Sequence, residues 1–274
     1  MPILQSRLTT ILNKEKRDSV DYYIALNMLE HLMELSDLSI SQIAELCAVS
    51  KSTVSKFVRE LGFDDYADFR IEARLMHEKD TYTKEQGLTI NITDFVMQNG
   101  LKEYQKILFQ DIQSLFEEID YDKIKSVAKM IHDYKKVAAF GDSYSETAAL
   151  NLQHKMSYYR KMIYTTIHDQ KQTEYIEHAN EDTLIIIFSN RGKYISTYQL
   201  LDGHPEKECF NQTKAKVILI TSNRELLLDE RIDTTILYRH STIIQNHPVL
   251  YQMIIELIAV EYQKMYGFPS DKKV

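Results

Sequence analysis

Apolar residues recur at helical spacing through the first third of the chain. Ile3, Leu4, Leu8, Ile11 and Leu12 form one series; Val20, Tyr23, Ile24, Leu26, Met28, Leu29, Leu32 and Met33 form another. That period turns one side of a helix inward, and no strand-like alternation competes with it, so residues 1–77 are predicted to be helical. The polar stretch His77–Gly87 reads as an exposed linker or a frayed helix end. The helical period returns in Asp94–Ile119 and again in Tyr121–Tyr134, where Ile124, Val127, Ala128 and Ile131 point inward. From Lys136 the pattern changes. Val137–Phe140, Met162–Thr166, Leu184–Phe188, Val217–Ile220 and Thr235–Tyr238 are short apolar runs suited to strands buried on both faces. Helices are predicted near Ser145–Tyr159, Lys171–His178, Tyr194–Leu201 and Val249–Tyr266. This alternation predicts an α/β unit whose five-stranded parallel sheet is covered on both faces. Its ligands belong beyond the carboxyl ends of the strands.

Within the helical third, Leu38–Phe63 (LSISQIAELCAVSKSTVSKFVRELGF) carries the most specific signal. Ser39 and Gln42 have capping-box spacing, and Ile43, Ala44 and Cys47 face one way on a short helix. Ala48 and Val49 make a turn. Ser50 opens a second helix with Val54, Phe57, Val58 and Leu61 inward, and Gly62 ends it. This is the helix-turn-helix layout. The outer face of the second helix presents Lys51, Ser52, Thr53, Ser55, Lys56 and Arg59. Cations neutralise phosphates, and hydroxyls at a helix N-terminus reach base edges or phosphate oxygens. On charge alone, a solvated helix face would look the same; the apolar spacing is what favours DNA.

In the second half, the segment following each of three predicted strands is rich in hydroxyls and amides: Gly141-Asp142-Ser143-Tyr144-Ser145, Ser189-Asn190-Arg191-Gly192 and Thr221-Ser222-Asn223. Loops of this kind, with free backbone N–H groups at helix N-termini, suit a phosphate attached to a polyol. Taken singly, each is also an ordinary turn.

The run Val49–Val54 (VSKSTV), with Phe57, Leu61-Gly62-Phe63, Tyr66, Phe69 and Arg70, resembles the N-terminal domain of RpiR-type bacterial transcription regulators. The resemblance implies a winged or extended helix-turn-helix that binds palindromic double-stranded operators as a dimer. Ala48 departs from the usual turn glycine, at a cost of about 1 kcal/mol if its φ is positive. From about residue 120 to 266 the layout is similar to the three-layer SIS (sugar-isomerase) domain, which such regulators use to sense phosphosugars. The family's Gly-x-Gly-x-Ser loop lands on Gly141, Ser143 and Ser145, with Ser143 in place of a glycine. Its Ser-x-Ser-Gly-x-Thr loop lands on Ser189, Arg191, Gly192 and Tyr194, with Arg191 replacing a serine and Tyr194 a threonine. The ligand site implied comprises Gly141, Ser143, Ser145, Ser189, Asn190, Arg191, Gly192, Thr221 and Ser222. Two outcomes stay open. Arg191 could grip a phosphate in bidentate fashion, or pair with Asp142 and, with Tyr194, close the pocket.

Composition narrows the classes. A net charge of −7 excludes a generally basic coat while allowing a local basic helix. Arg7, Lys14, Lys16, Arg17, Lys51, Lys56, Arg59, Arg70 and Arg74 are outnumbered by acidic neighbours, so non-specific DNA affinity should be modest and salt-dependent. Cys47 and Cys209 lie far apart without metal-ligand spacing, which fits reduced thiols, and no cofactor or metal is expected. No run suits a membrane span and no signal-peptide pattern opens the chain, so a cytoplasmic protein is expected. An isomerase would need a base and a carbonyl-polarising group. Glu146, His154, His168, His240, His247 and Glu256 are the candidates, and no two share a recognisable spacing. The expected arrangement is a DNA-binding domain over 1–77, a linker over 78–100 and an SIS-like effector and oligomerisation domain over 101–274. It describes a non-enzymatic regulator of carbohydrate genes, a homodimer or homotetramer. The competing reading keeps the regulator but leaves its second domain only to dimerise, through Tyr158, Tyr159, Met162 and the apolar face of the last helix (Met253, Ile254, Ile255, Leu257, Ile258).

Overall fold

The computed structural model describes residues 3–74, 91–141, 144–167, 169–196, 207–241, 243–244 and 248–267. The chain divides into two compact units, one N-terminal and one C-terminal. The expected linker falls largely on residues outside those described, and from Ile92 the chain is already helical.

The N-terminal unit is helical throughout its described residues, with no strand and so no wing among them. It contains α1 (Ile3–Lys14), α2 (Val20–Glu30), α3 (Ile40–Leu46), α4 (Lys51–Glu60) and α5 (residues 66–74). Ser39 and Gln42 form a complete capping box at the start of α3. Ser50 caps α4 by accepting from the Thr53 backbone N–H at 3.1 Å. Both helices end alike: Ala48 N–H reaches the Glu45 carbonyl and Val49 N–H the Ala44 carbonyl, while Gly62 reaches Arg59 and Phe63 reaches Val58. This is the paired backbone closure of a left-handed helix stop. Gly62 adopts φ 87° and Ala48 φ 52°. Ala48 thus holds a conformation that crowds its Cβ.

One core joins these helices: Leu4, Leu8, Ile24, Ala25, Met28, Ile43, Ala44, Val54, Phe57, Val58, Phe63 and Phe69 are all buried in it. Tyr66 and Arg70, both part of the resemblance, lie on α5. Tyr66 Oη donates to the Leu38 carbonyl at 2.9 Å, and Arg70 donates to the Ser36 carbonyl from Nε at 3.1 Å and Nη2 at 3.0 Å. These three bonds tie α5 to the segment that enters α3. Burial pushes the Tyr66 phenol up to about 12.

The C-terminal unit opens with α6 (Ile92–Asn99) and α7 (Leu101–Glu118), separated at Gly100, so Asp94–Ile119 is two helices rather than one. Then follow α8 (Tyr121–Asp133), β1 (Lys136–Gly141), α9 (Tyr144–Tyr158), α10 (Asp169–Glu177), β2 (Thr183–Phe188), α11 (Cys209–Gln212), β3 (Lys216–Thr221), β4 (Thr234–Leu237) and α12 (Val249–Tyr266). Short 3-10 segments occupy Lys193–Ile195, which overlaps the start of the predicted helix Tyr194–Leu201, and Arg224–Leu228; from residue 197 that predicted helix lies outside the described residues. The strands pair in parallel in the order β1-β2-β3-β4.

The sheet has four strands, which corrects the expected five. Met162–Thr166 touches it at a single parallel bridge, Tyr164 to Ala138. Neighbouring carbonyls in that segment are claimed by side chains: Gln153 Nε2 donates to Ile163 O at 2.8 Å and Gln172 Nε2 to Thr166 O at 2.6 Å. Those bonds satisfy the backbone locally, so the ladder stops after one residue.

Alternate strand residues enter two different cores. Val137, Ala139, Leu184, Ile186, Phe188, Ile218, Ile220 and Ile236 pack with residues of α7, α8, α9 and α12. Ala138, Phe140, Ile185, Ile187, Val217 and Leu219 pack with Ile176 of α10 and Cys209 and Phe210 of α11. The result is three layers, with the sheet buried on both faces.

Ala48→Gly should raise the stability of the N-terminal unit by about 0.5–1 kcal/mol, because glycine holds φ 52° without the Cβ clash. A urea midpoint that stays put or falls would contradict the strain assigned to Ala48.

Candidate functional site

The N-terminal candidate is the outer face of α4. Val54, Phe57 and Val58 are buried at 0–1 % exposure, each worth about 1.5–3 kcal/mol of transfer free energy. Their burial fixes the helix rotation, so Lys51, Ser52, Lys56 and Arg59 are exposed, with Thr53 and Ser55 half-buried beside them. At the N-terminus three hydroxyls cluster: Ser50 Oγ lies 2.7 Å from Ser52 Oγ and 2.8 Å from Thr53 Oγ1. At the other end Lys56 Nζ lies 3.4 Å from Glu60 Oε1. Burial and then the charges of Glu60 and Glu15 raise the Asp21 carboxyl, while Lys56 opposes them. Two of the cations counted in the sequence serve the interior instead. Arg7 is buried, its guanidinium 4.5 Å from the Phe63 ring centre, and Arg70 holds the Ser36 carbonyl.

The C-terminal candidate lies at the carboxyl ends of the strands. After β1 the chain turns to α9, on the face that carries α12; after β2 it turns to the opposite face, where Tyr194, Ile195, Cys209 and Phe210 are buried. Connections that leave adjacent strands for opposite faces open a crevice between them. The parting point lies between the end of β1 at Gly141 and Ser189–Gly192 after β2, where two of the expected ligand loops begin. Gly141 is required there, because a Cβ would stand 2.7 Å from the Ser145 backbone carbonyl carbon. Gly192 takes φ 74°, with its missing Cβ directed into the Leu226 side chain. Ser145 and Ser189 are both buried. Ser143 and Asp142 lie outside the described residues, and with them the suggested Asp142–Arg191 pair.

The polar groups of these loops largely hold one another. The Asn190 carbonyl accepts from Thr221 Oγ1 at 2.9 Å, Ser222 Oγ at 2.9 Å and Ser222 N at 3.0 Å. The Asn190 amide accepts from Tyr238 Oη at 2.8 Å and meets His240 Nε2 at 3.0 Å. Asn190 is therefore a hub joining the ends of β2, β3 and β4. Ser189 Oγ accepts from Tyr194 N at 3.3 Å. The Tyr194 ring is 2 % exposed, with its hydroxyl on Gln172 Oε1 and Lys207 Nζ 3.7 Å from its centre. Its bulk is turned into the core beneath the loop. The Arg191 side chain is exposed, and its carbonyl accepts from Asn223 Nδ2 at 3.2 Å. Sequence reasoning missed Tyr238 and Gln172 as members of the site. Only their positions, one residue past a strand and on a helix below the loops, could have signalled them.

The isomerase candidates do not assemble into a catalytic pair among the described residues. Glu256 is ion-paired to Lys155 at 2.5 Å and His154 is exposed on α9, while His168 and His247 lie outside those residues. Of the suggested dimer surface, Ile254, Ile255 and Ile258 are fully buried in the core, whereas Tyr158 and Met162 are 82 % and 73 % exposed. No described helix is long and apolar enough to cross a membrane.

The described residues thus comprise an amphipathic helix-turn-helix followed in the chain by an α/β unit. Residues 5–78 match the family model "Helix-turn-helix domain, rpiR family". The chain is 23 % identical over 209 residues to an HTH-type transcriptional regulator in the aarA 3′ region of Providencia stuartii, covering 76 % of this chain and 73 % of that one. It is also 23 % identical over 248 residues to the HTH-type transcriptional regulator CPE0189 of Clostridium perfringens, covering 86 % and 84 %. Among solved structures, a ligand complex of c3406 from E. coli CFT073 is similar over 66 % of this chain and 97 % of its own, at TM-score 0.50 and 13 % identity. The Vibrio vulnificus NanR protein complexed with ManNAc-6P covers 96 % and 92 % at TM-score 0.49 and 14 % identity. Residues 5–78 thus form an rpiR-family helix-turn-helix domain, the chain is similar over most of its length to HTH-type transcriptional regulators, and the C-terminal unit shares the α/β fold of the E. coli structure.

Asn190→Ala should lower stability by about 1–3 kcal/mol, since it strands the Tyr238 and His240 groups that its amide serves. Ser222→Ala should cost less than about 1 kcal/mol, because the Asn190 carbonyl keeps its other donors. Equal losses in chemical unfolding would refute the hub.

Proposed function

We propose that α4 is the recognition helix and that Lys51, Ser52, Thr53, Ser55, Lys56 and Arg59 are its DNA contacts. The observation that carries this reading is the rotation of α4: its apolar side is fully buried and its cationic, hydroxyl-bearing side faces outward. The free N–H groups at its N-terminus suit a phosphate oxygen, and the hydroxyl cluster can turn from Ser50 toward the groove. The Lys56–Glu60 pair and the acidic neighbourhood of Asp21 weaken non-specific attraction, so binding depends on fit. A homodimer would place two such helices in successive major grooves, and Tyr158 and Met162 are exposed apolar residues suited to that association.

The effector we infer is a phosphorylated sugar at the crevice between the β1 and β2 ends, with Ser145, Ser189, Gly192 and Arg191 as its contacts. Arg191 supplies the charge, Ser145 and Ser189 the hydroxyls, and Gly192 the left-handed turn against Leu226 that carries the loop. Tyr194 supports the open form of the site, because its ring is packed below the loop and leaves the crevice mouth to smaller groups. The mutual bonding of Asn190, Thr221 and Ser222 favours a second reading, in which the α/β unit holds the dimer without an effector. On the first reading, ligand and operator affinities are linked in both directions.

Lys56→Ala and Arg59→Ala should each weaken duplex binding and lower the salt slope by about 0.9 per lost phosphate contact, with unfolding midpoints unchanged. A wild-type slope in both variants would remove these residues from the interface. For the effector, a thermal-shift series of sugar phosphates should find at least one that stabilises by about 2–3 kcal/mol at a hundredfold excess over its Kd. Silence across the series would favour the dimer-only reading.

A further inference from the structure

The sheet has a second place where neighbouring connections part. After β3 the chain runs beneath the face that carries Leu226 and Ile232; after β4 it returns to the face of α12. The loops that part there are Thr221–Asn223 and Tyr238–Ser241, and at their junction sits a cluster of titratable groups beside the proposed effector loop. His240 is at its centre. Its Nδ1 lies 2.5 Å from the Ser241 carbonyl, an acceptor only, so Nδ1 carries the hydrogen. Its Nε2 lies 3.0 Å from Asn190 Nδ2, a donor only, so Nε2 is the bare acceptor and the ring is neutral. The other end of the same amide accepts from Tyr238 Oη at 2.8 Å. Each atom of this chain of bonds thus has one assigned direction.

That chain has a second self-consistent setting. A proton on Nε2 would set two donors face to face. A half-turn of the Asn190 amide relieves this: Oδ1 then accepts from His240, and Nδ2 donates to the Tyr238 oxygen, which is both donor and acceptor. Both contacts are kept with their directions reversed, the Tyr238 hydrogen turns away from the amide, and one proton from solvent separates the settings. Burial disfavours the imidazolium most, the bond to the Ser241 carbonyl opposes that effect, and the neighbouring charges act after these. From the β2 loop, Arg191 disfavours the imidazolium. From α7, Asp111 favours it, while itself accepting Ser241 N at 2.7 Å. Arg239, the neighbour in sequence, is paired with Glu118 at 3.1 Å. Burial is the largest influence and, with Arg191, holds His240 below the usual histidine range.

We propose that an anion bound beside Arg191 is taken up together with a proton on His240 Nε2, with the Asn190 amide turning over to accept it, so that effector affinity rises as pH falls. An anion at that point cancels the guanidinium's repulsion and adds attraction of its own. Because the Asn190 carbonyl also joins the β2 and β3 loops, the same event is placed to alter how those loops are held. This inference deepens the phosphosugar reading and rests on its placement of the anion.

The test uses the full chain, with the His240 ring followed by NMR and its signal identified by absence in His240→Gln. Sulfate and glucose 6-phosphate are the probes; sulfate stays a dianion across the titration, so any linked proton belongs to the protein. Saturating probe should raise the His240 midpoint by about one unit, equivalent to about tenfold tighter binding at low pH than at high pH. Arg191→Gln should abolish the rise. A rise with sulfate alone would keep the proton coupling and sink the sugar reading. Binding of glucose 6-phosphate with an unmoved midpoint would sink the coupling alone, and an unmoved midpoint with both probes would also overturn it.

Discussion

The burial of Val54, Phe57 and Val58 fixes the orientation of α4. These side chains are spaced so that one face of α4 must enter the N-terminal core, and that requirement leaves the opposite face, with its cations and hydroxyls, in water. Everything else in the unit refines this rotation. The capping box sets where α3 begins, the left-handed stop at Ala48 sets how sharply the chain turns, and Ser50 sets where α4 starts. Tyr66 and Arg70 hold the far side of the same arrangement by gripping the Leu38 and Ser36 carbonyls. Residues that resemble a family motif are thus of two kinds here: those on the outer face of α4, and those whose work is to position it.

The C-terminal unit is built on a different constraint. Its strands are buried on both faces, so their side chains are committed to two cores and only the strand ends are available for chemistry. Glycine at the end of β1 permits the close turn into α9, and the left-handed glycine after β2 permits the turn beneath Leu226. The polar residues left at that edge are not loose. Asn190 gathers the loops after β2, β3 and β4, so a ligand arriving at any one of them meets a connected network.

Much of this was legible in the sequence. The helix-turn-helix could be read because its signal is local: cap, apolar spacing and stop lie within one short stretch. The strand cores could be read because TLIIIF and its neighbours leave little polar surface to place. The fifth strand could not. Met162–Thr166 has the composition of a strand, but Gln153 and Gln172, on the helices that flank it, take two of its carbonyls. The break at Gly100 was hidden inside a continuous apolar period. The Asn190 hub was half visible: the residue was expected to touch a ligand, whereas its partners Tyr238 and His240 come from a strand end some fifty residues away. Sequence separation also concealed that Arg7 and Arg70 face inward.

Hydrogen–deuterium exchange of the full chain, with and without duplex DNA, tests the central claim most directly. The account predicts that slowed exchange is concentrated on the α3–turn–α4 segment, strongest over Ser50–Arg59. Protection confined to other segments, with that one exchanging as in the free protein, would contradict it.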